Sequence, residues 1–165
     1  MGVEYSGPER LPSAVELEEF FDDLMDAEIR FRTVTRYAFK GPDSSALALY
    51  KKHERHVGAV AVADRHFASY VGGAIAGITA AGVKQTLRDA VVAPSLLDSM
   101  NNVFNLFTTL LNARGTPALS YHGVRDEPLP LTGHLGELMA EAPNRIDYQV
   151  AVEGYGKGHM ALLFF

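Results

Sequence analysis

The sequence predicts an α+β fold: a mostly antiparallel sheet with helices packed on one face. Three observations lead there. Several short segments alternate apolar and polar residues with a period of two, as half-buried strands do. Other segments repeat apolar residues every three or four positions, as amphipathic helices do. The links between neighbouring strand segments are short and polar or Gly-rich, which suits hairpins between antiparallel neighbours.

Residues 1–12 read as a disordered lead-in, and 13–165 as a single domain. Ser13 and Glu16 form a capping box at a helix start. Val15, Leu17, Phe20, Phe21, Leu24 and Met25 then place a helix over 13–26. Ile29, Phe31, Thr33, Thr35, Tyr37 and Phe39 alternate as a strand, which Gly41-Pro42-Asp43 breaks. Strands over 45–50 and 57–63 follow, joined by a polar turn. Asp64 is placed to cap a helix over 65–77, and a short helical piece spans 82–91. A longer helix runs from Ser95 to Asn112, where Gly115-Thr-Pro117 stops it. The tail is β again: 118–124, a strand edge or turn at Glu127-Pro128, a short helix over 132–141, then a hairpin. Tyr148, Val150 and Val152 form one arm of that hairpin, residues 154–158 its Gly-rich loop, and Met160–Phe165 the other arm. This last strand is apolar on both faces, so it is either central or covered by a partner. The second option underlies an expectation of a homodimer.

Composition removes several function classes. The net charge of −5 argues against nucleic acid, which calls for a basic patch. There is no cysteine, so thiolate metal sites and disulfides are excluded. The most apolar stretch, Val71 to Val83, is too short for a bilayer span, which takes about 20 residues. The N-terminus lacks the apolar core of a signal peptide. The expectation is a cytoplasmic protein with no membrane contact.

The helix 95–112 is the informative element. Leu96, Met100, Val103, Phe107 and Leu110 fall on one face. Asp98, Asn101, Asn102, Asn105, Thr109 and Asn112 collect on the other. That polar face holds no Lys, Arg or Glu. Asn is a mediocre helix former because its amide competes for backbone hydrogen bonds. A merely solvated face would use Glu, Lys or Gln; short uncharged side chains leave room for another surface to approach.

Asp98, Asn102, Asn105 and Pro128 stand at the spacing of the pattern in the CheC/CheX family of chemotaxis phosphatases. That pattern is Asp or Ser, three residues, Glu, two residues, Asn, 22 residues, Pro. Three positions match in type, and Asn102 stands where the family has Glu. The chain resembles this family over about 13–165, and CheX more closely, because the first helix lacks the Glu-x-x-Asn of a second site. The resemblance implies a CheX-like domain that hydrolyses the aspartyl phosphate of a CheY-type response regulator in chemotaxis or two-component signalling. It also implies that the regulator brings the Mg²⁺, so the chain needs no cofactor of its own. By the same resemblance Asn105 orients the attacking water, Asp98 flanks the site, Asn102 occupies the place of the Glu that pairs with the regulator's Lys, and Pro128 shapes the adjoining loop. Asn101 and Thr109 are expected to line the binding face. A shifted pair, Asp98 with Asn101, is the second register, which puts Val124 near the Pro position. The alternative function is a catalytically degenerate receiver-binding or self-associating module on the same fold. A third is an unrelated α+β domain with a small-ligand pocket.

Other groupings read as structural. His53-Glu-Arg-His56 has one residue too few for the metalloprotease spacing. Gly72 and Gly73 suit close helix packing better than a phosphate loop. Ser120, His122 and Asp126 are too close in one strand and turn to form a triad. The acidic run Glu16–Asp26 reads as the solvated face of the first helix.

Overall fold

The computed structural model describes residues 11–39, 44–53, 55–88, 92–113, 118–128, 131–142 and 144–165. Most of the lead-in and the breakers at 41–43 and 115–117 lie outside these residues.

Helix α1, Ala14–Asp22, opens with the capping box in place: Glu16 N–H donates to Ser13 Oγ at 3.2 Å and Ser13 N–H to Glu16 Oε1 at 3.1 Å. It ends four residues before the expected boundary. Its last turn carries acidic Asp22 and no basic residue, which opposes the negative end of the helix dipole. Strand β1, Ile29–Val34, is also shorter than its alternating pattern. At Tyr37 the backbone N–H donates to the Asp147 carboxylate at 2.9 Å rather than to a neighbouring strand.

Strands β2 (Ser44–Lys52) and β3 (His56–Asp64) form the expected hairpin. Asp64 ends β3 and caps α2, Arg65–Ala76, accepting from Phe67 N–H at 2.8 Å. Helix α3, Ala80–Thr86, starts earlier than expected because the Thr79 hydroxyl caps it. Helix α4 spans Pro94–Asn112, with Pro94 at the first position, where its missing N–H costs nothing. Strand β4, Leu119–Pro128, runs past Val124 because a bulge near Gly123, at φ 97°, lets it stay paired with β2 to Pro128. Helix α5 (Gly133–Ala140) precedes the hairpin of β5 (Asn144–Val152) and β6 (Gly156–Phe164).

All strands join one antiparallel sheet in the order β1-β5-β6-β3-β2-β4. Strand β6 is therefore central, and its two apolar faces are covered within the chain. Among the described residues, β1 and β4 are the edges of the sheet. The order is symmetric about the β6–β3 pair. The units α1-β1-β2-β3 and α4-β4-β5-β6 interlock, each lending its first strand to the other's hairpin. No sequence repeat accompanies this.

Helices α1, α2 and α4 cover one face over the main core, which includes Leu17, Phe21, Phe67, Leu96, Met100, Phe104, Phe107, Met160 and Leu162. Full burial of each such side chain contributes roughly 1.5–3 kcal/mol. Close backbone approach seats the helices. A Cβ on Gly158 of β6 would lie 2.4 Å from Phe67 N, and one on Gly73 2.3 Å from Val83 of α3. A Cβ on Gly72 would lie 3.1 Å from Leu96 O, so the Gly72–Gly73 pair is a packing device. The other face carries a second, smaller cluster of Leu47, Val60, Val62, Ala161 and Leu163 under α5 and Phe39. Buried Asp147 fastens its rim: Arg145 donates to both of its carboxylate oxygens at 2.8 Å and to Tyr37 O at 3.0 Å.

Candidate functional site

Helix α4 is held from three sides, and what is left over is the candidate site. Leu96, Met100, Val103, Phe104, Phe107 and Leu111 bury its inner face. Beneath its middle, the buried Tyr50 of β2 donates its hydroxyl to Phe104 O at 2.7 Å. Burial, and then the neighbouring Tyr121, push the Tyr50 pKa well above its ordinary value, so it stays a neutral donor. On the β4 side, Tyr121 donates its hydroxyl to Asn101 Oδ1 at 2.7 Å, and its ring lies 5.4 Å from that of Tyr50. Burial raises the Tyr121 pKa too. At the C-terminal end, Asn112 clamps β4: its Nδ2 donates to Leu119 O at 2.9 Å and its Oδ1 accepts from Leu119 N–H at 2.8 Å.

These contacts divide the polar face seen in the sequence. Asn112 is half-buried and structural, so it is not part of the free polar surface. Asn101 is exposed, but its carbonyl oxygen is committed to Tyr121. Asp98, Asn102, Asn105 and Thr109 are exposed and follow one another at i+4 and i+3 spacings along a single stripe. Among the described residues no hydrogen bond or ion pair occupies the side chains of Asn102 or Asn105. An amide offers one acceptor and two donor hydrogens in fixed relative geometry, which suits holding a water or a polar partner. Leu106, on the same exposed side, is 51% exposed and one of two large apolar side chains so placed among the described residues.

Pro128 closes β4. Its backbone lies opposite Ser44 of β2, seven residues along the strand from Tyr121. The register thus ties it to β2. In the shifted register, the Oδ1 of Asn101 already accepts from Tyr121. Ser120 and His122 make a 3.2 Å contact on the exposed side of β4. Asp126 pairs with Ala46, whose side chain enters the main core, so it faces the other way and no triad forms. Among the described residues no group of three His, Asp or Glu side chains is arranged to hold a metal ion, and no helix is long and apolar enough to cross a membrane.

Two features escape sequence reasoning. Tyr121 lies 20 residues from Asn101, and only the placement of β4 beside α4 brings them together. The acidic side of α1 borders α4: Glu16, Glu19 and Asp23 wall a groove whose other side includes Leu106 and Thr109.

No family model matches the chain, and no curated protein matches it. Solved structures do match. FliM of H. pylori, in its complex with FliG, aligns at TM-score 0.63 and 11% identity over 92% of this chain and 85% of its own. FliY of Thermotoga maritima aligns at TM-score 0.54 and 12% identity, over 98% and 92%. A chemotaxis protein CheX from Desulfovibrio desulfuricans aligns at TM-score 0.47 and 13% identity, over 90% and 93%. The chain has the fold of the FliM middle domain and FliY, which is the fold that the resemblance to CheC and CheX implied.

Proposed function

We propose that this chain, built on the fold of FliM and FliY, is a chemotaxis or two-component signalling protein that engages a phosphorylated CheY-type receiver through the exposed stripe of α4. The observation that carries this reading is the pair Asn102 and Asn105. They are two uncommitted amides side by side on a helix whose other sides are fixed by core packing, Tyr50, Tyr121 and Asn112. A fixed helix presenting free amides is pre-organised, so little is lost in ordering it against a partner.

Asn105 then holds the attacking water in line with the aspartyl phosphate. The water oxygen bonds to phosphorus, the acyl–phosphate P–O bond breaks, the aspartate leaves as carboxylate, and the water's proton goes to the phosphate. The metal in this reaction is the receiver's. Such catalysis is positioning more than covalent work. Asn102 makes a neutral contact where the family pattern has a carboxylate, and a charge-assisted hydrogen bond is roughly twice as strong as a neutral one.

That substitution supports a second reading: a non-catalytic receiver-binding module, or one that self-associates through an edge strand, β1 or β4. The FliM structures captured with FliG and with SpeE show a domain of this fold in complexes with other proteins. Dephosphorylation of a phosphorylated receiver, with wild type and Asn105→Ala compared, separates the two. Accelerated loss of phosphate by wild type but not by the variant is the result expected of the catalytic reading. Stable binding of the phosphorylated receiver with no acceleration would replace it with the second.

A further inference from the structure

The groove between α1 and α4 has an uneven chemistry. Phe20 of α1, Leu24 just beyond its end, and Leu106 and Leu110 of α4 supply apolar surface, within a volume of about 510 Å³. Glu16, Glu19 and Asp23 line the α1 wall, and no described residue lining the groove is basic. An edge-on contact of Phe20 with Phe107, ring centres 5.3 Å apart, fixes the two helices together, so the groove is a formed feature. It also adjoins the amide stripe: Leu106 lies one turn from Asn102, and Thr109 one turn from Asn105.

Glu16 serves the capping box at the start of α1, but the acidic residues at the other end are placed against local stability. Asp22 and Asp23 stand at the C-terminal end of α1, where the helix dipole favours cations, and that last turn holds no basic residue. Glu18 has a structural task, accepting from Phe31 N–H at 2.8 Å. Glu19 and Asp23 are exposed, and among the described residues no ion pair joins either. An apolar floor with a one-signed acidic wall is complementary to a surface that is apolar and cationic.

We infer that this groove docks a basic, amphipathic helical segment of the partner whose reactive surface meets Asn102 and Asn105. The partner's position rests on the reading above; the chemistry of the segment rests on the groove alone. Charge that α4 lacks at Asn102 is thereby supplied from α1. Electrostatic complementarity of this kind acts on encounter and affinity rather than on the chemical step.

The test uses the full chain and two synthetic amphipathic peptides of about 14 residues, near the lower limit for appreciable helicity. One is built from Leu and Lys, the other from Leu and Glu in the same pattern. The Leu–Lys peptide is expected to bind and to shift the amide resonances of Glu19, Asp23, Leu106 and Thr109, and the Leu–Glu peptide is not. Glu19→Lys with Asp23→Lys should weaken binding about tenfold or more, with the melting temperature held or raised because the helix end gains cations. Glu137→Lys with Glu141→Lys, near the C-terminal end of α5, should leave binding unchanged. The inference is overturned if the peptide does not bind, if its shifts map elsewhere, or if the α5 pair weakens it as much as the groove pair. It is also overturned if the groove instead holds a second copy of the chain, seen as a wild-type dimer that the groove pair disperses. The same variants with a phosphorylated receiver keep the two readings apart. The groove pair should raise KM with kcat retained, whereas Asn105→Ala should lower kcat. Loss of activity in Asn105→Ala alone would leave the catalytic reading standing and sink the groove; a groove-bound peptide with a silent Asn105→Ala would do the reverse.

Discussion

Two asparagines seven residues apart on α4 should respond to alanine in opposite ways. Asn112 makes two hydrogen bonds to the backbone of Leu119, at 2.9 and 2.8 Å, and so ties the end of α4 to the start of β4. Each contributes about 1 kcal/mol net. Alanine removes both and regains about half a kcal/mol in helix preference at a terminal position. The expected loss is about 1.5–2.5 kcal/mol, raised toward the upper end because Leu119 is 4% exposed and its freed groups reach water poorly. For a domain of this size that lowers the melting temperature by roughly 3–10 °C. Asn105 is exposed with no such bond, so Asn105→Ala should be neutral or up to about 0.7 kcal/mol stabilising. Urea unfolding of both variants beside wild type reads this directly, as a changed midpoint at unchanged slope. Receiver dephosphorylation should invert the order: Asn112→Ala retains activity below its melting range and Asn105→Ala loses it. A loss above about 1 kcal/mol for Asn105→Ala, or none for Asn112→Ala, would refute the division of the polar face into a clamp and a site.

Further outcomes follow from other contacts. Tyr121→Phe removes the 2.7 Å bond to Asn101 and should cost about 0.5–1.5 kcal/mol in denaturant unfolding, while leaving the inner face of α4 packed. Gly158→Ala sets a Cβ 2.4 Å from the backbone nitrogen of Phe67, which no side-chain movement relieves, so a loss of about 2 kcal/mol or more is expected in the same assay. Alkaline titration at 295 nm should show Tyr50, Tyr121 and Tyr148 ionising late. Burial first, and Glu16 second, raise Tyr148 to about 12 from its ordinary 10, and Tyr50 and Tyr121 are raised as well. An acid whose folded pKa exceeds its unfolded value keeps its full stabilising effect below the unfolded value. That effect is lost as pH climbs from 10 through the folded value. The late tyrosines should therefore ionise together with unfolding; simple ionisation near 10 with the fold intact would contradict the buried hydroxyl contacts.

Much of this fold is legible in local chemistry. The Ser13–Glu16 box, the Asp64 cap and the Gly-rich turn before β6 are local devices, set by side chains within a few residues of the backbone they satisfy, and each operates as its spacing implies. The two faces of α4 are equally local, because a helical period assigns each residue a direction whatever lies beyond. What decides among the polar residues is not local. Asn101, Asn105 and Asn112 are the same side chain on the same helix. Their separation into tethered, free and clamping depends on where β4 returns, 7 to 20 residues later in the chain. The same holds for the central position of β6, which fixes the cover of both its faces. It holds too for the acidic wall of α1, which becomes one side of a groove only when Phe20 meets Phe107. The sequence by itself determined the elements, their caps and the face of α4 that stays polar, since these follow from forces acting within a turn or two. Tertiary structure alone decided which polar groups are spent on holding the fold and which stay free, since hydrogen bonds and apolar contacts between distant segments exist only once the chain brings them together.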